Sequence, residues 1–300
     1  MTSLDKLRPA AEEGNIGKLY DVIKDDPSIF VDKDSDQFLQ TPLHIAAAKG
    51  HIPFAVEVMN LKPSFAFKLN PQGWSPIHLA IQNQEKRMVL CFVNTNKELV
   101  RLKGREGMTP LHLASEIGDV ELLAEFLTAC PDSMKDVTVR GETALHIAAK
   151  NKKYEALHLF VCFLRKNTEV GAKMLEYKIL NQKDEDDNTV LHISAVNDNP
   201  KELQLLIESV IELNSKNLAN KTALDMTISE EIYNLLSNAG AKSGSQVTDP
   251  QTLAILSPPG GIYQANASDN DVNIISSNST NSSSLESVGI SVMSRDDFVL

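Results

Sequence analysis

Aromatic residues are scarce in this sequence, at 5% of 300 residues with a single tryptophan. The hydrophobic share is nevertheless 42%, so a core has to be built mainly from Ala, Leu, Ile and Val side chains. The sequence also lacks a run of about 18 uninterrupted apolar residues, and segment 1–15 carries acids where a secretion signal needs an apolar stretch. We therefore expect no membrane-spanning helix in the chain as written, and a cytoplasmic location.

Cysteine and basic residues are scarce as well. Cys91, Cys130 and Cys162 form no C-x-x-C pair, which indicates free thiols in a reducing compartment. The 29 Lys and Arg residues stand against 40 Asp and Glu residues, which gives a formal net charge of -11. A field of that sign repels phosphate backbones, so we expect no nucleic-acid partner.

Histidine is also rare, with seven residues, yet most histidines recur in one short motif with a fixed period. The motif reads T-P-L-H, S-P-I-H, T-P-L-H, T-A-L-H and T-V-L-H and ends at His44, His78, His112, His146 and His192. The first four histidines are spaced evenly, the step to the fifth contains an insertion, and Asp225 takes the same position in a last copy. A period near 33 residues marks stacked repeat units. We predict about seven units over residues 1–240, of which the first and last are atypical.

Each copy of the motif contains the signals of a helix start and a helix end. Thr41 and its equivalents can cap a helix through the hydroxyl group, and a proline often follows at the first helical position, where a missing N–H has no cost. Gly50 and Gly118 are expected to end first helices in the left-handed conformation. Two residues before the caps, Gly, Asp or Asn predicts a hairpin turn with positive φ, except in the second unit, where Leu39 breaks the rule. The residues expected at positive φ are Gly73, Gly107, Gly141, Asp187 and Asn220.

These residues resemble the ankyrin repeat, whose signature is T-P-L-H-x-A. The resemblance implies an all-α ankyrin-repeat solenoid of stacked helix-turn-helix units with hairpin fingers. A histidine beside a threonine hydroxyl and a hairpin could be a general base, a metal ligand or a structural peg. Stacked units would hold the histidines roughly 10 Å apart, too far for shared zinc ligation at about 2 Å. We therefore predict structural pegs at Thr41, His44, His78, Thr109, His112, Thr143, His146, Thr189 and His192.

The expected function is protein binding on the concave face of the stack. The sequence contains no nucleophile–base pair and no phosphate-binding glycine loop, so we expect no enzyme, cofactor, metal or small-molecule substrate. Candidate partner-binding residues lie just before the caps, on the fingers and near the ends of the first helices. For Trp74, packing on the neighbouring finger is the alternative to partner contact. The candidates are Trp74, Arg105, Met108, Glu116, Arg140, Glu142 and Asn151.

An insertion of 12 residues lies around residues 165–182, between His146 and His192. Met174, Leu175 and Ile179 keep helical spacing and predict a second short helical piece there. The acidic run 183–188 follows at the expected tip of a finger. It is interpreted as a solvated turn, with a contact for a basic partner as the alternative.

The composition changes at the end of the array, and we predict a disordered Ser/Asn-rich tail over residues 241–300. Within it, the segment LSPPGGIYQAN at 256–266, together with the repeats, resembles the plant ankyrin proteins with a C-terminal PGG membrane domain. That resemblance implies defence or cell-death signalling, usually at a membrane. Only VTDPQTLAILS precedes Pro258, where the family carries a membrane span, so the spans are expected to be missing or truncated here. The alternative is a membrane-anchored sensor or channel-like protein of which this chain is a shorter form.

Overall fold

The computed structural model describes residues 3–31, 38–167 and 171–247, which are almost entirely helical or in turns. The predicted PGG segment at 256–266 and most of the predicted disordered tail lie outside the described residues. The α-helices in chain order are α1 (Arg8–Glu13), α2 (Ile16–Asp25), α3 (Pro42–Lys49), α4 (Ile52–Leu61), α5 (Pro76–Gln82), α6 (Lys86–Thr95), α7 (Pro110–Ile117), α8 (Val120–Ala129), α9 (Ala144–Lys150), α10 (Tyr154–Lys166), α11 (Ala172–Leu180), α12 (Val190–Val196), α13 (Pro200–Ile207) and α14 (Glu230–Asn238).

The helices alternate between two layers. The first helices α1, α3, α5, α7, α9 and α12 contact one another in sequence, and the second helices α2, α4, α6, α8, α10, α13 and α14 do the same. Fully buried alanines on the first helices allow close approach, whereas the second helices bury bulky side chains such as Phe92, Phe126 and Phe160 at one repeating position. This is the all-α ankyrin-repeat solenoid that the sequence predicts.

The helix ends follow the local signals. Gly50 and Gly118 end α3 and α7 at φ 71° and 83°, in the left-handed region that glycine adopts at low cost. Both predictions are therefore confirmed. In the last unit a 3-10 turn, Ala223–Met226, replaces the first helix.

A hairpin turn precedes the cap in every unit from the third onward. In each turn the first residue donates its N–H to the carbonyl of the fifth, as Thr138 does to Glu142 at 2.9 Å. The five positions predicted to have positive φ all have it. Single backbone bonds join three adjacent pairs of turns: Val139 N to Glu106 O at 2.9 Å, Glu185 N to Arg140 O at 2.8 Å and Leu218 N to Asp186 O at 2.9 Å. The turns span residues 70–74, 104–108, 138–142, 184–188 and 217–221.

The second unit differs, as the sequence predicts. Leu39 is buried in place of a turn glycine, and its N–H binds the carbonyl of Leu69 at 2.7 Å. Phe38 and Leu69 form an isolated parallel β-bridge. Residues 32–37, which precede this bridge, are outside the described residues.

The insertion lengthens α10 to 13 residues and adds α11, which confirms the predicted second helical piece. In the second, third and fourth units a 3-10 turn stands between the second helix and the hairpin, and its buried pairs include Phe65–Ala66 and Leu99–Val100. Ile179 and Leu180, at the end of α11, are buried at the same distance before the hairpin. The extra residues thus lie before a buried pair that these units share.

Ordered packing continues beyond residue 240. Ala241 is buried, Lys242 donates its N–H to Asn214 Oδ1 at 2.7 Å, and Gly244 donates to Asp225 Oδ2 at 2.7 Å. In the described ranges no helix is long and apolar enough to cross a membrane.

Candidate interaction face and its histidine spine

The first helices from the second unit onward are capped by the threonine or serine and the histidine of their own motifs; these helices are α3, α5, α7, α9 and α12. Thr109 Oγ1 lies 2.7 Å from His112 Nδ1, and the N–H of Thr109 donates to the same nitrogen at 3.2 Å. The same pair of contacts joins Thr41 to His44, Thr143 to His146 and Thr189 to His192. The hydroxyl oxygen of Ser75 lies 2.6 Å from His78 Nδ1. The cap therefore orders both the hydroxyl and the imidazole ring.

The other ring nitrogen of each histidine reaches the hairpin of the next unit. The contacts run from His44 Nε2 to Trp74 O at 3.1 Å, His78 to Met108 at 3.0 Å, His112 to Glu142 at 3.1 Å, His146 to Asn188 at 3.2 Å and His192 to Lys221 at 3.2 Å. Because Nδ1 accepts the backbone N–H of the cap, we assign the ring proton to Nε2, which donates it to the carbonyl. We call this row of contacts the histidine spine.

The spine histidines are held in the neutral state. Burial lowers the pKa of His44, His78 and His112 from 6.5 to about 4, and burial also lowers the pKa of His146 and His192. A proton added at Nδ1 would face the N–H of the capping residue, so that two donors would oppose each other. These groups are suited to fixed hydrogen bonding.

In the last unit, aspartate occupies the position of the spine histidine. Asp225 Oδ2 accepts the N–H of Thr222 at 2.9 Å and the N–H of Gly244 at 2.7 Å. The chain segment that follows the last repeat presents an N–H donor at this place, where every earlier repeat presents a hairpin carbonyl. This position therefore holds a donor, histidine, where the partner is a carbonyl, and an acceptor, aspartate, where the partner is an N–H group.

The hairpin tips and the exposed residues of the first helices form what we call the finger-side face. Arg105 and Arg140 lie on two successive tips, with side chains 61% and 62% exposed. Arg140 pairs with Glu185 of the next finger at 3.3 Å. Glu116 and Asn151 are exposed at the ends of α7 and α9, and Asn151 donates to Ile147 O at 2.9 Å. These four candidates present polar atoms to solvent.

The three candidates just before the caps are less accessible. Glu142 is 6% exposed and forms an ion pair with Lys150, so its expected surface orientation is wrong. Met108 is half-buried and packs on the core. Trp74 is also half-buried, and its ring lies 5.5 Å from the ring of His78 in its own unit.

Three of the four acidic side chains in the run 183–188 have partners. Asp184 is buried and accepts the N–H groups of Asp186 and Asn188 at 3.0 and 2.8 Å. Asp187 pairs with Lys183 at 3.5 Å, and Glu185 pairs with Arg140. This geometry favours a solvated turn. Across residues 3–31, 38–167 and 171–247, no three His, Cys, Asp or Glu side chains are grouped as metal ligands would be.

Sequence reasoning missed three residues of the finger-side face. Lys150 occupies the same repeat position as Glu116, so the period of 34 could have identified it. Ile117 and Val196 are 41% and 38% exposed on first helices, whereas the contacts predicted there, Glu116 and Asn151, are polar. They add apolar surface to a face of mixed charge.

Comparisons with known proteins agree with this architecture. A family model described as "Ankyrin repeats (3 copies)" matches residues 86–174. The chain is 39% identical over 258 residues to the Arabidopsis thaliana "Ankyrin repeat-containing protein BDA1", an alignment that covers 84% of this chain and 60% of the relative's length. The solved ankyrin-repeat domain of Bcl-3, a member of the IkappaB family, aligns with a TM-score of 0.55 and 23% identity over 68% of this chain and 88% of that one.

Proposed function

Starting from an ankyrin-repeat fold, we propose that this protein is a non-catalytic scaffold that binds a protein partner on the concave, finger-side face. The histidine spine is the observation that carries the proposal. It holds successive hairpins at a fixed spacing, so the tips present side chains of differing charge and size from a rigid frame. Stacked repeats with variable surface positions on a constant frame are suited to protein recognition.

The test compares three exposed finger-side residues with three residues on the second helices. After a partner is identified by cross-linking and mass spectrometry, the combined variant Arg105→Ala, Glu116→Ala and Asn151→Ala is expected to lower its recovery at least tenfold. The matched control, Arg87→Ala, Glu155→Ala and Asn94→Ala, removes the same residue types from exposed positions of α6 and α10. It is expected to leave recovery unchanged.

Thermal unfolding separates lost contact from lost structure. Both triple variants should melt within about 5 °C of the wild type, since each exposed substitution rarely changes stability by more than about 0.5 kcal/mol. Equal recovery with both triple variants would refute the finger-side assignment. Trp74→Ala is a poorer probe, because it also removes the ring packed beside His78.

We also propose that the protein acts in the cytoplasm, in plant defence or cell-death signalling. Support for the signalling role comes from the resemblance of segment 256–266, together with the repeats, to plant ankyrin proteins with a PGG domain. The Arabidopsis thaliana relative is likewise a plant ankyrin-repeat protein, and the three free cysteines fit a reducing compartment. Expression of the chain in leaf cells is expected to yield protein that a carbonate wash releases from membranes and that alters pathogen-induced cell death. Retention in the washed pellet would favour the membrane-anchored alternative, and unchanged cell death would refute the signalling role.

A further inference from the structure

The helix α11 gives one unit a surface that the other units lack. The second, third and fourth units connect the second helix to the next hairpin through a short 3-10 turn. The unit with the insertion has nine helical residues, α11, in this place. Ala172, Glu176, Ile179 and Leu180 form its buried side. The opposite side is therefore a helical face added outside the repeat pattern.

That opposite side combines exposed apolar groups with lysines. Lys173, Met174, Tyr177 and Lys178 follow the spacing of a single helix face, and Met174 is 59% and Tyr177 40% exposed. Lys173 Nζ lies 2.8 Å from Glu176 Oε2, and Tyr177 donates its hydroxyl to Glu212 at 3.2 Å. Both contacts fix side chains along the edge of this face before any ligand arrives.

The local charge is opposite to that of the whole protein. Segment 165–183 contains five Lys and Arg residues and two Glu residues, whereas the whole chain has a formal net charge of -11. Two acids of neighbouring elements also contact this segment, Glu212 at 3.2 Å from the Tyr177 hydroxyl and Asp187 at 3.5 Å from Lys183, and a small excess of positive charge remains. At physiological salt, charges farther apart than about 8 Å are largely screened. A small ligand would thus experience the positive patch, and an extended anionic surface would also meet the acidic remainder of the protein.

We propose that this α11 face docks an acidic, amphipathic segment of a partner protein. Apolar side chains of the segment would cover Met174 and Tyr177, and its carboxylates would lie against Lys173 and Lys178. The size of the patch and the acidity of the remaining chain favour a short peptide over a membrane of anionic lipid. This site is separate from the finger-side face, so its failure would leave the scaffold proposal standing.

The test uses the full chain with methyl-labelled methionine and a defined probe. The probe is a 15-residue peptide of Glu with Leu at every third or fourth position, and its control has the same composition with the Leu residues clustered at one end. We expect the patterned peptide to shift the methyl signal of Met174 and to leave those of the buried Met88 and Met134 unchanged. The charge-reversed variant Lys173→Glu with Lys178→Glu should raise the Kd at least tenfold, and added salt should weaken binding.

A matched variant, Lys24→Glu with Lys201→Glu, reverses two exposed lysines on α2 and α13 and is expected to keep the wild-type Kd. Equal loss of affinity in both double variants would show that net charge alone governs binding and would overturn the proposal. So would binding to vesicles of phosphatidylserine and phosphatidylcholine, blocked by Lys173→Glu with Lys178→Glu, in the absence of peptide binding. Unaltered circular dichroism of both variants excludes unfolding as the cause.

Discussion

Lowering the pH from 7 to 5 is expected to reduce the free energy of unfolding by about 5 kcal/mol through three histidines alone. Burial lowers the pKa of His44, His78 and His112 to about 4 in the folded protein, whereas the ordinary value is about 6.5. Between these two values the unfolded chain binds protons that the folded chain does not. Their stabilising contribution is complete above pH 6.5 and is lost as the pH falls toward 4.

The measurement is urea unfolding at closely spaced pH values between 7 and 5. Each histidine that protonates only on unfolding contributes a slope of up to about 1.4 kcal/mol per pH unit, and His146 and His192 act in the same direction. Exposed carboxylates are largely ionised above pH 5 in both states, so they affect this window little. Burial raises the pKa of Glu202 in the folded protein, so this group acts in the opposite direction to the histidines as the pH falls. A slope that corresponds to less than one proton would contradict the neutral, buried spine. The variant His112→Ala should lower the proton uptake by about one.

The spine and the fold were predictable because their signals are local and repeated. Thr41 and His44 lie three residues apart in one helical turn, so the capping contact follows from the motif itself. The link from His44 to the hairpin of the next unit follows from the period. The finger-side charges were less predictable, because Glu142 at the end of its hairpin is buried and pairs with Lys150 at the last turn of α9, a contact that the motif does not indicate.

The insertion marks the limit of periodicity as a guide. Helical spacing identified α11, but it did not indicate which apolar residues would be covered. Met174 keeps the spacing and is nevertheless exposed, whereas Glu176 is buried. Periodicity fixes burial only where neighbouring units repeat the same contacts, and α11 has no equivalent in those units.

Removal of one spine histidine is the second change that we expect to lower the free energy of unfolding strongly. His112→Ala should lower the free energy of unfolding by about 3–5 kcal/mol, because it leaves a cavity and two buried partners without their bonds. Those partners are the cap at Thr109 and the carbonyl of Glu142. Since stacked repeats are held by neighbouring contacts, the array should also lose cooperativity, with the units on either side of the break unfolding at different urea concentrations.

Two further variants separate hydrogen bonding from simple loss of volume. His158→Ala removes a half-buried histidine of α10 that lies outside the spine, and it should cost less than about 1 kcal/mol. His112→Asp keeps an acceptor for the cap of Thr109, as Asp225 does for Thr222, but it directs a buried carboxylate toward the carbonyl of Glu142. We therefore expect it to destabilise the protein at least as much as His112→Ala. A milder effect of His112→Asp would show that the cap, rather than the bond to the next hairpin, is the main contribution of the histidine.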